Sequence, residues 1–497
     1  MAILDRIFRP ILTVLSGKTT EMDKELSFTV MLFTLMASSG IAVYEGWKKM
    51  CQFRLLPQTQ KEAKEVVRQV EVLGYDPLTV MQRKAEESNS KTYRDFLAGY
   101  VSSVKSGVDV VSFLKSKLRS VLEVQTAAAF RSIERLGTLV EAYAVMMIVT
   151  LCIYILYVVL SATATFEYLS LGLSASGTEP LMYALIFLAT PFITFVFMAV
   201  ANLARQSNML SVKEAYVNGI IFGGAAAGFF AIFMFLPQLD FIVDTLTVPG
   251  LVTICLLVAS FPPAIVYRRI AKENFEAEEA MPSFLRDVTE ARKIGLSPVK
   301  SIVHATERTG YGSFGETLNL VRSQIEWGVP LRRIFANIGK RIRNWPVLVY
   351  FLILIETIEF GGGSANALEI LSDYSEKNKD IESNKRSTLK PYVVLAFVWS
   401  VLISLTTSIV AITIYVLTQI GGPGRSSVMF SAMQNQIMMF SLGIIFQCWM
   451  SGFFIGKISE GTFAAGFKYS AMLAVTGYVS LFLSQGYLVQ MLGVVPP

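Results

Sequence analysis

The sequence predicts an all-α integral membrane protein, with about seven transmembrane helices and two repeated helical-bundle domains in the cytoplasm. Three observations carry this. The chain has 497 residues, 53% hydrophobic and only 16% charged, where a soluble domain carries roughly 25% charged residues. Seven apolar stretches reach the length of about 20 residues that a helix needs to cross hydrocarbon. The layout of the amino half also recurs in the carboxyl half, displaced by roughly 250 positions, the signature of a repeated structural unit.

Residues 27–160 and 282–410 carry the repeat. Gly40 falls on Gly295, each closing one short helix and opening the next. Gly74 falls on Gly328, with Val67-Arg68 over Val321-Arg322 and Pro77-Leu78 over Pro330-Leu331. Asn89 falls on Asn344, Phe96-Leu97 on Phe351-Leu352, Gly107 on Gly362 and Tyr143 on Tyr392. Two copies of a charged helical unit, each leading into membrane, suit a scaffold with two similar faces better than a single active site.

Taken in order, residues 1–20 lack the apolar core and small-residue cleavage site of a secretory signal. Residues 28–43 are apolar but only about 16 long, which fits a buried helix better than a span. Their counterpart, 284–299, contains Arg286, Asp287, Glu290, Arg292 and Lys293 and cannot lie in lipid. The first cytoplasmic domain is therefore 1–139, a degenerate copy. Four spans follow within 140–267, at 140–163, 180–204, 216–236 and 249–267. The second cytoplasmic domain is 268–390. Residues 391–497 hold the last three spans, at 392–417, 430–455 and 467–494.

The second domain is punctuated clearly. Met281-Pro282 is expected to start a helix that Gly295 ends, and Ser297-Pro298 to cap the next. Gly310, Gly312 and Gly315 form a loop. Leu318, Val321 and Ile325 then make a buried stripe at helical spacing, stopped by Gly328. A short basic amphipathic helix covers 329–342. An apolar helix covers 347–359 and ends at Gly361-Gly362-Gly363, and a last helix runs from 365 to about 390 into the membrane. Gly295, Gly328, Gly361, Gly362 and Gly363 are the expected hinges.

Orientation follows from the basic residues. With the amino end inside and Pro497 outside, the outer loops contain Glu167, Glu179, Asp240 and Asp244 but only one base, Arg425, of the 44 Lys and Arg.

Catalysis finds no support. The single histidine, His304, is too isolated for a metal site. Gly452 to Lys457 lacks the spacing of a phosphate loop, and the triple glycine reads as a turn. Cys51, Cys152, Cys255 and Cys448 lie far apart and read as small core residues. No catalytic residue, cofactor or metal is expected, and no nucleic-acid partner. The candidate working surface is basic: Arg332, Arg333, Lys340, Arg341 and Arg343, with two readings open. Either an acidic patch of a partner docks there, or the helix touches anionic headgroups. Arg286 with Arg292-Lys293 is a weaker cluster, since Asp287 and Glu290 can neutralise it, and Lys115, Lys117 and Arg119 read as a plain exposed face. Glu356 and Glu359, one turn apart, are expected to accept the basic helix. The small flank Gly219, Gly223 to Gly228 suits close helix packing, within the chain or at a dimer seam.

Met281-Pro-Ser-Phe-Leu-Arg, Gly295-Leu-Ser-Pro, Gly328-Val-Pro-Leu, and Glu356 to Gly363 followed by Leu368 and Leu371 resemble the F domain of type II secretion and type IV pilus machines. Two such domains with the spans split between them resemble the archaeal branch, the membrane platform of the archaellum and of archaeal type IV pili. The first copy departs from the pattern, lacking the Ser-Pro after Gly40 and the triple glycine. The resemblance implies a non-enzymatic, multi-pass platform of the cell membrane. It implies docking of a cytoplasmic hexameric secretion ATPase, delivery of pilin or archaellin subunits to a filament, and a homodimer. The alternative is a transporter or channel subunit, but transporters place polar groups near the midplane of their spans, and these spans look nearly free of them.

Overall fold

The computed structural model describes residues 21–170, 184–205, 212–235, 240–361, 364–420 and 426–491. Every regular element among them is helical. The first unit comprises α1 (Glu21–Ser38), α2 (Val43–Met50), α3 (Pro57–Glu71), α4 (Pro77–Glu87), α5 (Lys91–Lys105) and α6 (Val110–Ser170). A π-helical turn at Leu185–Ala189 leads into α7 (Thr190–Ala204), followed by α8 (Lys213–Phe235). The second unit comprises α9 (Asp240–Lys293), α10 (Pro298–Thr306), α11 (Phe314–Glu326), α12 (Leu331–Arg341), α13 (Trp345–Gly361) and α14 (Ala365–Ile420). A hairpin of α15 (Ser426–Glu460) and α16 (Phe463–Met491) completes the chain.

Local chemistry sets these boundaries. Pro77 and Pro298 open α4 and α10, where a missing N–H costs nothing. Asp76 accepts the Thr79 amide at 3.1 Å, Ser90 that of Tyr93 at 3.1 Å, and Ser297 that of Lys300 at 3.4 Å, each satisfying an orphan donor. Helix ends at matched positions of the two units use a left-handed glycine: Gly40 (φ 80°) and Gly295 (φ 93°), Gly74 (φ 71°) and Gly328 (φ 73°).

One boundary differs from the sequence reading. Met281-Pro282 does not start a helix, because α9 runs through it to Lys293. An interior proline costs roughly 3 kcal/mol. Ala277, Met281, Phe284, Leu285 and Val288 form one buried stripe across it. Burying each large apolar side chain is worth about 1.5–3 kcal/mol, so the stripe outweighs the proline. The helix breaks instead at Thr247, which has a φ of 58°.

Among the described residues, six helices are long and apolar enough to cross a membrane; they lie within α6, α7, α8, α9, α14 and α15. The seventh predicted span, 467–494, falls on α16, which has the length at 29 residues. Lys468, Ser470, Thr476, Tyr478 and Ser480 dilute its apolar character.

The apolar segment after residue 27 becomes α1, and its apolarity has a local cause. Val30, Met31, Leu32, Phe33 and Leu35 are no more than 2% exposed. α1 lies inside a single core cluster that unites residues 26–122 with residues 277–374. Phe28 meets Trp345, Tyr350 and Tyr374 of the second unit, at ring-centroid distances of 5.0, 5.7 and 5.3 Å. Beside it the Tyr374 hydroxyl donates to Ser27 at 2.6 Å, and Trp345 Nε1 donates to the Leu55 carbonyl at 2.8 Å. The two units are thus halves of one folded body.

In the membrane part, α15 and α16 cross at backbone contact. A Cβ on Gly452 would overlap the Ser470 backbone, and one on Gly456 the Gly466 backbone. The stretch Gly452 to Lys457 is therefore a small-residue crossing of the Gly-x-x-x-Gly type. The flank of α8 behaves differently from the simplest expectation. Gly219 presses on the Phe467 ring, but Gly223, Gly224 and Gly228 meet nothing within 4 Å.

Candidate functional site

The candidate surface is α12. Ile334 and Ile338, one turn apart, are 1% and 3% exposed and anchor it on the core. Gly328 turns the chain into it, and Pro330 precedes its first turn. The structure divides its five bases into two groups.

Arg332 and Arg343 are committed inside the molecule. Arg332 reaches Glu359 at 2.9 Å, Glu356 at 3.5 Å and the Gln52 side chain of the first unit at 3.4 Å. Arg343 pairs with Glu214 at the start of α8 at 2.5 Å, and its amide donates to Asn274 of α9 at 2.7 Å. Arg333, Lys340 and Arg341 are exposed, and none has an ion-pair partner among the described residues. The expected pairing of the basic helix with Glu356 and Glu359 thus runs through Arg332 alone. The three remaining cations form a surface open to a partner.

Glu356 is 4% exposed, and its Oε2 has no hydrogen-bond partner. Burial pushes its carboxyl up to about 7; Arg332 opposes this and Glu359 adds to it. A carboxyl raised in the fold favours the folded state fully below its unfolded value of 4.5 and loses that contribution as pH rises through about 7. Relative to Glu356→Gln, the wild type is expected to lose up to about 3 kcal/mol between those limits, at about 1.36 kcal/mol per unit. Unfolding midpoints of both proteins from pH 4.5 to 8 check this; parallel curves would mean that burial does not raise the Glu356 carboxyl.

Two bases of the weaker cluster, Arg286 and Lys293, form their ion pairs with other acids. Asp287 and Glu290 are taken by Arg308. Arg286 and Lys293 turn instead to Glu376 at 2.5 Å and Glu369 at 2.8 Å on α14. Gly295 and Gly328 hold left-handed turns and Gly361 closes α13, while Gly362 and Gly363 lie outside the described residues. His304 is exposed, 3.7 Å from Glu307, and no group of His, Cys, Asp and Glu among the described residues could hold a metal. Cys255 and Cys448 are buried, but Cys152 faces outward from α6.

Sequence reasoning missed polar contacts inside the membrane part. Gln447 of α15 donates to Thr194 of α7 at 2.7 Å and to the Tyr143 hydroxyl of α6 at 3.2 Å. Tyr143 and Ser451 hydroxyls lie 2.7 Å apart. Trp449 Nε1 donates to Ser260 of α9 at 2.7 Å. Single polar residues in apolar runs were the available signal. In hydrocarbon they bind helices together.

The fold is a multi-pass helical membrane protein whose two helical units share one core. Residues 284–412 match the family of the type II secretion system protein F, so an F domain covers the end of α9, all of α10 to α13 and most of α14. An uncharacterized protein of Methanocaldococcus jannaschii is 22% identical over 486 residues, covering 93% of this chain and 80% of that protein. No solved structure matches the chain.

Proposed function

We propose that this protein is the membrane platform of an archaeal type IV pilus-like or archaellum assembly machine. In this reading it is not an enzyme. A hexameric secretion ATPase docks on the bundles from the cytoplasm, and the platform couples it to the assembly of pilin or archaellin subunits. The observation that carries the reading is the placement of the F domain. Its last helix, α14, leaves the bundle and enters the membrane without interruption, so a partner held on the bundle is joined directly to the spans. The first unit is a second, degenerate F domain, supported by its six helices in the same order and by the paired glycine turns. We place the bundles inside, because the Lys and Arg of the chain concentrate on that side; the expected outer end at Pro497 lies outside the described residues. A homodimer belongs to this reading, and the open glycines of α8 offer a second copy a close approach.

The ATPase contact is placed on Arg333, Lys340 and Arg341. Reversing all three to Glu in the full chain, with Arg332 and Arg343 left to hold the helix, is expected to weaken ATPase binding by about tenfold or more, since like charges at contact cost several kcal/mol. Wild-type binding should fall steeply as salt rises, because the screening length is about 8 Å at physiological ionic strength. Unchanged ATPase binding with lost affinity for anionic liposomes would assign this surface to lipid instead.

A further inference from the structure

The end of the membrane part that faces the bundles carries a charged layer in which every carboxylate is satisfied and two cations are not. Glu278 accepts Arg386 and Asn344 at 2.9 and 3.1 Å, and Glu382 pairs with Lys385 at 3.1 Å. Glu460 receives the hydroxyls of Tyr267 and Tyr469 at 2.9 Å each, with Lys468 at 4.0 Å. Arg205, at the end of α7, and Lys457, in the last turn of α15, have no ion pair or hydrogen bond with those carboxylates; Glu382 and Glu460 act on Arg205 only through space, and the two helix ends pack together through Val200, Ala201, Ile455 and Ile458. They are 4% and 5% exposed. Arg205 Nε and Nη1 have no acceptor. Lys457 rests over the Phe463 ring at 5.2 Å, and its charged neighbour is Arg205 itself. A buried, unpaired charge costs several kcal/mol, and two of like sign side by side cost more.

We infer that Arg205 and Lys457 form a binding site for a phosphate group, that of an anionic lipid headgroup. A guanidinium offers its N–H groups in a fork that matches two phosphate oxygens, and Lys457 adds a point charge. The site lies where α7 and α15 end and α16 begins, the level at which basic pockets between spans meet headgroups. Lipid held there would tie α7 to the α15–α16 hairpin. This rests on the membrane reading and not on the proposed ATPase or filament.

The test uses delipidated full-length protein in neutral detergent, titrated with phosphatidylglycerol, phosphatidylcholine or inorganic phosphate while the unfolding midpoint is followed. Phosphatidylglycerol should raise the midpoint by several degrees and phosphatidylcholine should not. The rise should vanish in the double variant Arg205→Gln/Lys457→Gln and persist in Lys468→Gln, which removes a half-buried charge at the same end. If the double variant does not fold, each single variant should lessen the rise. A rise with inorganic phosphate that the double variant abolishes would keep the anion site and make its natural ligand free phosphate. A response that survives in the double variant, one lost equally in Lys468→Gln, or no response of the wild type to either anion would each overturn the assignment.

Discussion

Replacing Phe28 by alanine is expected to cost about 3–5 kcal/mol, the range for removing a buried phenylalanine, and to loosen both units together. Phe28 is 3% exposed. Its ring is ringed by Trp345, Tyr350 and Tyr374 of the other unit, so the cavity opens at the seam and not within either half. A domain of ordinary stability has about 5–15 kcal/mol to lose. Thermal unfolding in detergent gives the size of the loss, and limited proteolysis gives its location. New cuts should appear in both 21–122 and 277–374. Cuts confined to the first unit would show that the halves are held separately. Trp345→Ala should act non-additively with Phe28→Ala, because the two rings touch.

Gly456→Leu is expected to cost roughly 3 kcal/mol, the upper end for overpacking. The new side chain would meet the backbone of Gly466, which cannot swing aside as a flexible side chain can. The α15–α16 hairpin would have to open, and α16 is also packed on α9 and α14. Gly224→Leu supplies the contrast. Its added Cβ meets nothing within 4 Å, so stability should stay within about 0.5 kcal/mol of the wild type. Equal losses at the two positions would contradict the crossing described above. Expression level and unfolding midpoint of both variants decide it.

The boundaries of α10 to α14 were legible because they rest on local chemistry: Ser297-Pro298, the glycines at 310 and 312, Gly328, and the apolar run before Gly361. The start of α9 was not, because Pro282 is a strong local signal that a long-range core overrides. The candidate surface was legible as a run of charge but not as a pattern of partners. Nothing local distinguishes Arg332 from Arg333. The difference lies in Glu356 and Glu359 of α13 and in Gln52 of the turn after α2, which reach Arg332 from other parts of the chain. Residues 28–43 show the same limit in reverse. Their length favours a core helix over a span, but what the run packs against is not legible until Phe28 is seen among the second unit's rings. Arg205 and Lys457 were missed because a lone base at the end of a span normally reads as an orientation signal.

The three helices that leave the bundles have a mechanical consequence. α6 and α14 are 61 and 56 residues long and α9 runs 47 residues from its break at Thr247 to Lys293, rods of roughly 70–90 Å at about 1.5 Å per residue. Sharp bends in such rods fall at prolines. α14 has one at Pro391 and α9 has Pro249, Pro262, Pro263 and Pro282, of which Pro262 and Pro263, like Pro391, stand where the rods meet the apolar part, while α6 has none. A sideways push on the bundles therefore bends two rods at the bilayer surface and leaves the third as a stiff strut. Joints of this kind yield more readily to tilting than to load along the helix axes.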